Sequence, residues 1–214
     1  MKIGVLGTGN VGKAIGHGFV TLGHEVKMGA RDANNEKAVA WARDAGGKAS
    51  HGTFADAARF GEIVVIATLG MANHSVIGAA GSDAFAGKVV IDTTNPLVPS
   101  DGPVPKLGIT GEDSSGEQVQ HLLPNAKVVK AFNTTGNAHM FKPDFPGGPP
   151  DMFIAGNDAH AKETVTKILT DFGWNTVDAG DIRASRQLEA MCILWVEVGM
   201  RSGNWNQAFK MLKK

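Results

Sequence analysis

The first twenty-two residues constrain the fold of this chain more than any other stretch. Residues 3–6 read Ile-Gly-Val-Leu, a short apolar segment typical of a buried strand. Gly7, Gly9 and Gly12 follow it with G-x-G-x-x-G spacing, and residues 13–22 read as a helix. A strand, a glycine-rich turn and a helix in this order predict the opening unit of an α/β sheet.

Each glycine of the turn has its own physical role. Gly7 permits the tight change of direction, Gly9 lets the backbone approach a phosphate, and Gly12 lets the helix pack closely on the strand. The free N–H groups at the start of the helix favour an anion. The turn therefore predicts a dinucleotide pyrophosphate site, and the alternative is a glycine-rich turn in an α/β protein of another kind.

Strand and helix patterns alternate along the whole chain. Continuous apolar runs such as residues 63–67, Ile-Val-Val-Ile-Ala, are typical of buried parallel strands. We predict strands at 3–6, 25–28, 48–50, 62–68, 88–92, 127–131, 152–155 and 175–177. We predict helices at 13–22, 35–45, 53–59, 73–80, 114–122, 159–172 and 182–212, the last with a break near residues 202–203.

This order indicates right-handed crossovers and a doubly wound, mostly parallel sheet of the Rossmann type, with a short C-terminal helical extension. We expect a dinucleotide-binding domain over 1–181 and a helical segment over 182–214 that packs on it. Residues 97–111 and 142–150 are rich in proline and glycine, so we expect no regular elements there.

Composition excludes several functional classes. Lys+Arg and Asp+Glu both number 21, so no global charge attracts nucleic acid or a membrane surface. No apolar run is long enough to span a bilayer. The single Cys192 excludes an intramolecular disulfide, and we expect a cytoplasmic protein. The histidines form no metal-binding pattern, so we expect no metal.

The end of the second predicted strand indicates which dinucleotide binds. NAD-specific folds carry a carboxylate there for the ribose 2′-hydroxyl, whereas this chain has Arg31. A guanidinium suits the 2′-phosphate of NADP, and Lys37 adds a second positive charge. Asp32 lies one step too late and is placed to orient Arg31. The alternative is that Arg31 is a solvated loop residue.

The residue types and motifs that the sequence lacks exclude several catalytic mechanisms. The chain has no tyrosine, which excludes the Tyr-Lys relay of short-chain dehydrogenases, and no G-x-S-x-G nucleophile motif. His74 follows a strand end, and it either faces the cofactor or has a structural role. Hydride transfer between two cofactors needs mainly positioning, whereas a carbonyl reductase needs a proton donor. We therefore assign no catalytic side chain.

Several motifs together resemble the NADPH-dependent reductases of the deazaflavin coenzyme F420. The domain also resembles the Rossmann domains of pyrroline-5-carboxylate reductases and the cytosolic part of six-transmembrane ferric reductases, which pass hydride from NADPH to a flavin. The motifs lie at residues 7–12, 29–31, 92–96, 128–135, 178–180 and 186–189, so the resemblance covers nearly the whole chain.

The resemblance implies the roles of particular residues. NADP would lie on Thr8, Gly9, Asn10, Val11, Arg31 and Lys37. Thr68, Leu69 and Ala131 would flank its nicotinamide half. The acceptor, F420 or a flavin such as FAD or FMN, would stack in a cleft formed by Asn95, Pro96, Phe132, Asn133 and the final helix.

Two departures from the deazaflavin reductases leave the acceptor open. Gly70 stands where a proline followed by a tryptophan is common, and residues 144–150 form a long loop. The resemblance favours a homodimer. The alternatives are an NADPH-dependent ferric or flavin reductase, an imine or hydroxyacid reductase, and a non-catalytic NADP sensor that binds a partner protein. For an imine or hydroxyacid reductase, we judge the segment after residue 181 too short.

Overall fold

The computed structural model describes residues 1–212, so residues 213 and 214 of the predicted C-terminal segment lie outside the described part of the chain. The strands are β1 (Lys2–Leu6), β2 (Glu25–Ala30), β3 (Ala49–Thr53), β4 (Ile63–Ile66), β5 (Val89–Asp92), β6 (Leu97–Val98), β7 (Lys106–Leu107), β8 (Lys127–Lys130), β9 (Asp151–Gly156) and β10 (Asn175–Asp178). The α-helices are α1 (Asn10–Thr21), α2 (Glu36–Ala45), α3 (Phe54–Phe60), α4 (Asn73–Ala80), α5 (Ser115–Leu122), α6 (Ala159–Asp171) and α7 (Ser185–Ser202).

The strands form one large sheet that confirms the predicted fold class. Its order is β10-β9-β8-β5-β4-β1-β2-β3, and every neighbouring pair is parallel except β8 with β9. The carboxyl ends of β1, β2, β4, β5 and β8 therefore meet at one edge. Ligands of doubly wound sheets bind at this edge, so the fold predicts where the site lies.

Helices cover both faces of the sheet, as the alternation along β1 requires. Ile3 and Val5 point to one face, where they join a core with Phe19 of α1 and Phe172 just after α6. Leu6 points to the other face and packs with side chains of α3, α4 and α5. The two apolar cores hold the strand ends in fixed positions.

Two helices agree with their predicted boundaries to within one residue. Helix α4 spans the predicted residues 73–80. At the start of α3, the N–H of Asp56 donates to the Thr53 hydroxyl at 3.1 Å, and the Thr53 N–H donates to the Asp56 carboxylate at 2.9 Å. This capping box ends β3 and starts the helix within one residue.

The structure corrects the prediction for residues 97–111. Strands β6 and β7 pair as a short antiparallel hairpin, with Leu97 opposite Leu107. The prolines at 99, 103 and 105 lie between the two strands, where they break no ladder hydrogen bond. Residues 142–150 contain no helix or strand, as predicted.

The structure also corrects the helix predicted to reach residue 212. Helix α7 ends at Ser202, because Gly203 adopts a left-handed conformation with φ of 66°. The chain then turns back along the start of β9, where the N–H of Asp151 donates to the Phe209 carbonyl at 2.9 Å. The Met211 N–H donates to the Asp151 carboxylate at 2.6 Å. These contacts hold residues 204–212 as an irregular tail.

Candidate dinucleotide site

A groove with a volume of about 590 Å³ lies at the carboxyl ends of β1, β2, β4 and β5. It runs from the end of β2, across the glycine-rich turn, to the ends of β4 and β5. Its walls are formed by Gly7, Thr8, Gly9, Asn10, Val11, Ala30, Arg31, Asn35, Phe54, Ala67, Thr68, Leu69, Ala72, Val76, Thr93, Thr94, Asn95 and Leu97.

The glycine-rich turn forms the middle of the groove. Gly7 has a φ of 127°, and a Cβ on Gly12 would strike the Gly7 carbonyl, so close packing requires both glycines. A Cβ on Gly9 would meet no protein atom within 4 Å and would project into open space. Within residues 1–212, the N–H groups of Asn10, Val11 and Gly12 have no protein acceptor. This cradle of N–H donors fits a pyrophosphate.

Hydrogen-bond donors collect at the β2 end of the groove. Arg31 is exposed, and no carboxylate of the described chain pairs with it. The predicted role of Asp32 in orienting Arg31 is wrong, because its carboxylate accepts the Asn34 N–H at 2.9 Å instead. The side-chain oxygen of Asn35 caps α2 by accepting from Lys37 and Ala38 N–H groups, so its amide NH₂ remains available.

Two predicted site residues are exposed to solvent outside the groove walls. Lys37 is exposed in the first turn of α2, and His74 is exposed in the first turn of α4. Gly12 also lies behind the walls, where it supports the turn from within α1. Seven predicted residues besides Gly7 and Gly9 do form the walls, namely Thr8, Asn10, Val11, Arg31, Thr68, Leu69 and Asn95.

The predicted acceptor-side residues form a buried support behind the groove. Asn95 and Asn133 pair through their side chains at 2.9 Å, and Asn133 also donates to the Leu188 carbonyl of α7 at 2.9 Å. Pro96 and Ala131 are buried. The structure thus joins Asn95, Asn133 and α7, but only Asn95 of this set reaches the groove wall.

The loops after β4 and β5 touch each other at Gly70. This residue is buried, and a Cβ built on it would lie 2.7 Å from the nitrogen of Pro96 and would strike the Asn95 carbonyl. The two loops therefore meet backbone to backbone at this end of the groove.

A buried ionic cluster lies beneath the strand ends. The Lys130 ammonium is 2.7 Å from the Asp92 carboxylate and 2.8 Å from the Glu189 carboxylate, and all three side chains are almost fully buried. Burial alone lowers the pKa of Lys130, but the charges of Asp92 and Glu189 outweigh it and raise this pKa above its ordinary value. The lysine is therefore charged at neutral pH.

The groove walls contain one titratable side chain, Arg31, within the described chain. No carboxylate, imidazole or amine lines the groove to give or take a proton. The arrangement can bind an anionic dinucleotide and position its ring. Proton transfer near neutral pH would have to involve water or the bound molecules.

Comparison with known proteins agrees with this geometry. The family model for coenzyme F420-dependent NADP oxidoreductases matches residues 2–96. A crystal structure from Arthrobacter sp. FB24, described as that of a candidate F420-dependent NADP-reductase, is 37% identical and covers 100% of both chains with a TM-score of 0.93. The chain belongs to the coenzyme F420-dependent NADP oxidoreductase family.

Two curated relatives have names that indicate different electron acceptors. The F420-dependent NADP reductase of Methanocaldococcus jannaschii is 29% identical over 148 residues, which is 68% of this chain and 66% of that protein. Metalloreductase STEAP3 of Rattus norvegicus is 26% identical over 192 residues, which is 89% of this chain and 36% of that protein. The chain therefore spans about a third of the length of STEAP3, and just under two thirds of the archaeal reductase is covered.

Sequence reasoning about this family member missed several groove residues. Asn35 had a usable signal, because an asparagine immediately before a helix is a typical N-cap. Phe54 and Val76 read only as apolar helix residues, and nothing local in the sequence indicates that they also reach a groove. Thr93 and Thr94 belong to a recognised strand end, but their place in the wall depends on how β5 lies beside β4.

Elsewhere in residues 1–212, neither a metal site nor a reactive thiol is found. Among the described residues, no group of three His, Cys, Asp or Glu side chains is arranged to hold a metal ion. Burial raises the pKa of the Cys192 thiol to about 11, so the nucleophilic thiolate is suppressed. No helix within residues 1–212 is both long and apolar enough to cross a membrane.

Proposed function

We propose that this chain is an NADPH-dependent oxidoreductase that transfers a hydride between NADP(H) and a ring-shaped acceptor, either the deazaflavin F420 or a flavin. The observation that carries this proposal is the character of the groove. Within residues 1–212, it offers an anion cradle and an arginine without a carboxylate partner, but no side chain for proton transfer.

The β2 end of the groove supports NADP as the dinucleotide. A 2′-phosphate placed there would meet the unpaired Arg31 guanidinium and the free amide NH₂ of Asn35. A charge-assisted, bidentate arginine–phosphate contact is among the stronger hydrogen-bonding arrangements in proteins. Where NAD-specific folds carry an acidic side chain, this chain has the donor Arg31. The carboxylate of the neighbouring Asp32 accepts the Asn34 N–H.

The opposite end supports a ring acceptor. NADP(H) itself would supply the hydride chemistry, so the protein has to hold two rings together and limit the access of water. Leu69 is 81% exposed and Leu97 is 37% exposed at the open side of this end. A flat, apolar ring would cover both side chains, and their removal from water would favour its binding.

The test is to mix the purified protein with NADPH and, separately, with F420, FMN and FAD, and to follow the nicotinamide absorbance. We expect oxidation of NADPH with at least one acceptor and much slower oxidation of NADH. A variant with Lys162→Met, on the remote α6, serves as a matched control and should behave like the parent. Absence of turnover with every ring acceptor would contradict the proposal.

A second candidate function is a non-catalytic NADP sensor that binds a partner protein. The exposed Leu69, Met71 and Leu97 favour it, because an apolar patch beside the groove suits a protein partner as well as a ring. This function predicts NADPH binding without turnover. An imine or hydroxyacid reductase is disfavoured, because the groove walls hold no proton donor.

Three expectations remain part of this proposal. A homodimer is supported by the exposed Leu194 and Val198 on α7 and by the family resemblance. A cytoplasmic location is supported by the free Cys192 thiol, which suits a reducing compartment. A division of the chain after residue 181 is supported by α7, which follows that point and extends the sheet domain.

A further inference from the structure

Thr93 and Thr94 form what we call the floor of the groove. A continuous set of buried polar groups connects this floor to α7. It begins at Thr94, which belongs to the groove wall, and passes through Asp92 and Lys130 to Glu189. The Glu189 carboxylate also accepts the N–H groups at the start of α5 at 3.0–3.1 Å. The cluster therefore ties a strand end to two helices.

Every polar atom of Thr94 is used within this cluster. Its N–H and its hydroxyl both donate to the Asp92 carboxylate, at 2.9 Å and 2.7 Å. Its carbonyl accepts from the Lys130 ammonium at 2.7 Å. The turn from residue 92 to 94 is thus fixed from its buried side, and Lys130 bonds to both ends of it.

A second connection joins the facing wall of the groove to the same turn. The amide NH₂ of the buried Asn73 donates to the Thr94 hydroxyl at 2.8 Å and to the Ser115 hydroxyl at 3.0 Å. The Asn73 oxygen accepts a longer contact from the Thr68 hydroxyl at 3.4 Å. Thr68 follows β4 and Thr94 follows β5, so Asn73 and the ionic cluster fix the loops after these two paired strands relative to each other.

The position of this floor in the groove decides which part of the cofactor depends on it. With the 2′-phosphate at Arg31 and the pyrophosphate at the glycine-rich turn, the nicotinamide half extends toward Thr68 and Thr94. The adenosine half lies on residues that do not touch the cluster. A change in the cluster should therefore act on one half of the ligand.

We propose that Lys130 is a positioning residue that holds the floor for the nicotinamide half of NADP(H) through its contacts with Asp92 and the Thr94 carbonyl. The inference rests on the proposed function, since it takes NADP(H) as the ligand. Lys130 is fully buried and lies outside the groove walls, so its action must pass through Asp92 and Thr94.

The experiment compares two ligands in the Lys130→Met variant. Adenosine 2′,5′-bisphosphate occupies only the adenosine end, whereas NADP⁺ also occupies the floor. We expect the affinity for the bisphosphate to change less than about twofold and that for NADP⁺ to fall about tenfold, which corresponds to ~1.4 kcal/mol. Lys162→Met should leave both affinities at the parent values. Equal losses for both ligands, or no loss for either, would overturn the inference.

A second pair of variants keeps the inference testable if Lys130→Met does not fold. Thr94→Val removes the hydroxyl that bonds to Asp92 and Asn73 and leaves no charge unpaired, whereas Thr94→Ser keeps the hydroxyl. We expect Thr94→Val to weaken NADP⁺ selectively and Thr94→Ser to restore its affinity. Similar affinities in the two variants would overturn the inference. A parent protein that binds neither ligand would contradict the proposed function itself, and the inference with it.

Discussion

The two ends of the groove use polar side chains in opposite ways. At the β2 end, Arg31 and the amide of Asn35 are left without protein acceptors and face outward. At the other end, Thr94, Asp92 and Lys130 satisfy one another and are buried. The type of a polar group does not by itself decide its role. A group that lacks a hydrogen-bond partner within the protein can recognise a ligand, whereas a group that already has its partners supports the groove wall.

The two ends should also differ in what a substitution changes. Loss of a free donor removes an interaction with the ligand and leaves the fold intact. Loss of a buried partner leaves other groups unsatisfied, so it changes stability before it changes binding. Four substitutions test this comparison, and their expected effects decrease from Lys130→Met to Glu117→Gln.

Lys130→Met should have the largest effect on stability. It removes the cation between Asp92 and Glu189 and leaves two buried carboxylates without their partner. We expect the free energy of unfolding to fall by about 3–5 kcal/mol, as for other broken buried ion pairs. Urea unfolding measures this change. Lys162→Met is the control, because Asp178, the ion-pair partner of Lys162, is 54% exposed.

The free energy of unfolding at alkaline pH provides a second check on the same variant. Because the folded-state pKa of Lys130 is raised above 10.5, its contribution to stability is complete below that pH and is lost as the pH rises through the folded value. The parent should lose this contribution at strongly alkaline pH, and the variant should show no such loss. Stability losses of equal size in Lys130→Met and Lys162→Met would show that the buried cluster adds no more stability than a more exposed ion pair.

Arg31→Asp should change cofactor preference with little effect on stability. The guanidinium is exposed and has no partner in the described chain, so its removal strands no protein group. A carboxylate there would repel the 2′-phosphate and accept from a 2′-hydroxyl. We expect NADPH affinity to fall about a hundredfold, which is ~3 kcal/mol for a lost charged hydrogen bond and added repulsion, with little loss for NADH. Equal losses measured by fluorescence titration would refute the 2′-phosphate role.

Gly9→Ala tests the middle of the groove. The added Cβ meets no protein atom, so we expect a stability change within about 1 kcal/mol, the usual range for an N-cap position. The same methyl group would occupy the space where a pyrophosphate approaches the backbone. NADPH affinity should therefore fall about tenfold, or ~1.4 kcal/mol. Unchanged affinity in a titration would mean that the cofactor does not cross this turn.

Glu117→Gln should give the smallest effect. Its ion pair with Arg186 is not fully buried like the Lys130 cluster, and it does not lie at the proposed ligand site like Arg31. Arg186 is 2.6 Å from the Glu117 carboxylate and is 29% exposed. The hydrogen bond from Arg186, followed by that from Ser114, lowers the pKa of Glu117 below 4.5 despite its partial burial. The pair therefore adds stability above about pH 4.5 that is lost as the pH falls through the folded value.

We expect the parent to lose ~1 kcal/mol more than Glu117→Gln between neutral and acid pH, the size of a typical hydrogen bond. Chemical unfolding at several pH values measures the difference. Parallel pH profiles for the parent and the variant would show that the Glu117–Arg186 pair adds no pH-dependent stability.

The sequence predicted those parts of the fold that depend on local chemistry. The glycine-rich turn and the Thr53 capping box involve neighbouring residues, so their spacing is visible in the chain. The tail after Gly203 was wrong as a helix, because its structure depends on the distant Asp151. The ionic cluster was not predicted at all, since Asp92, Lys130 and Glu189 meet only once β5, β8 and α7 are in place.

The contact at Gly70 bears on how far acceptors can be compared within the family. A side chain there would have to push the loops after β4 and β5 apart by roughly 1 Å, because the built Cβ lies 2.7 Å from Pro96 and an ordinary contact is ~3.5 Å. A relative with a side chain at this position would need a wider separation of these loops. An acceptor placed by superposition on such a relative would therefore meet a different opening in this chain.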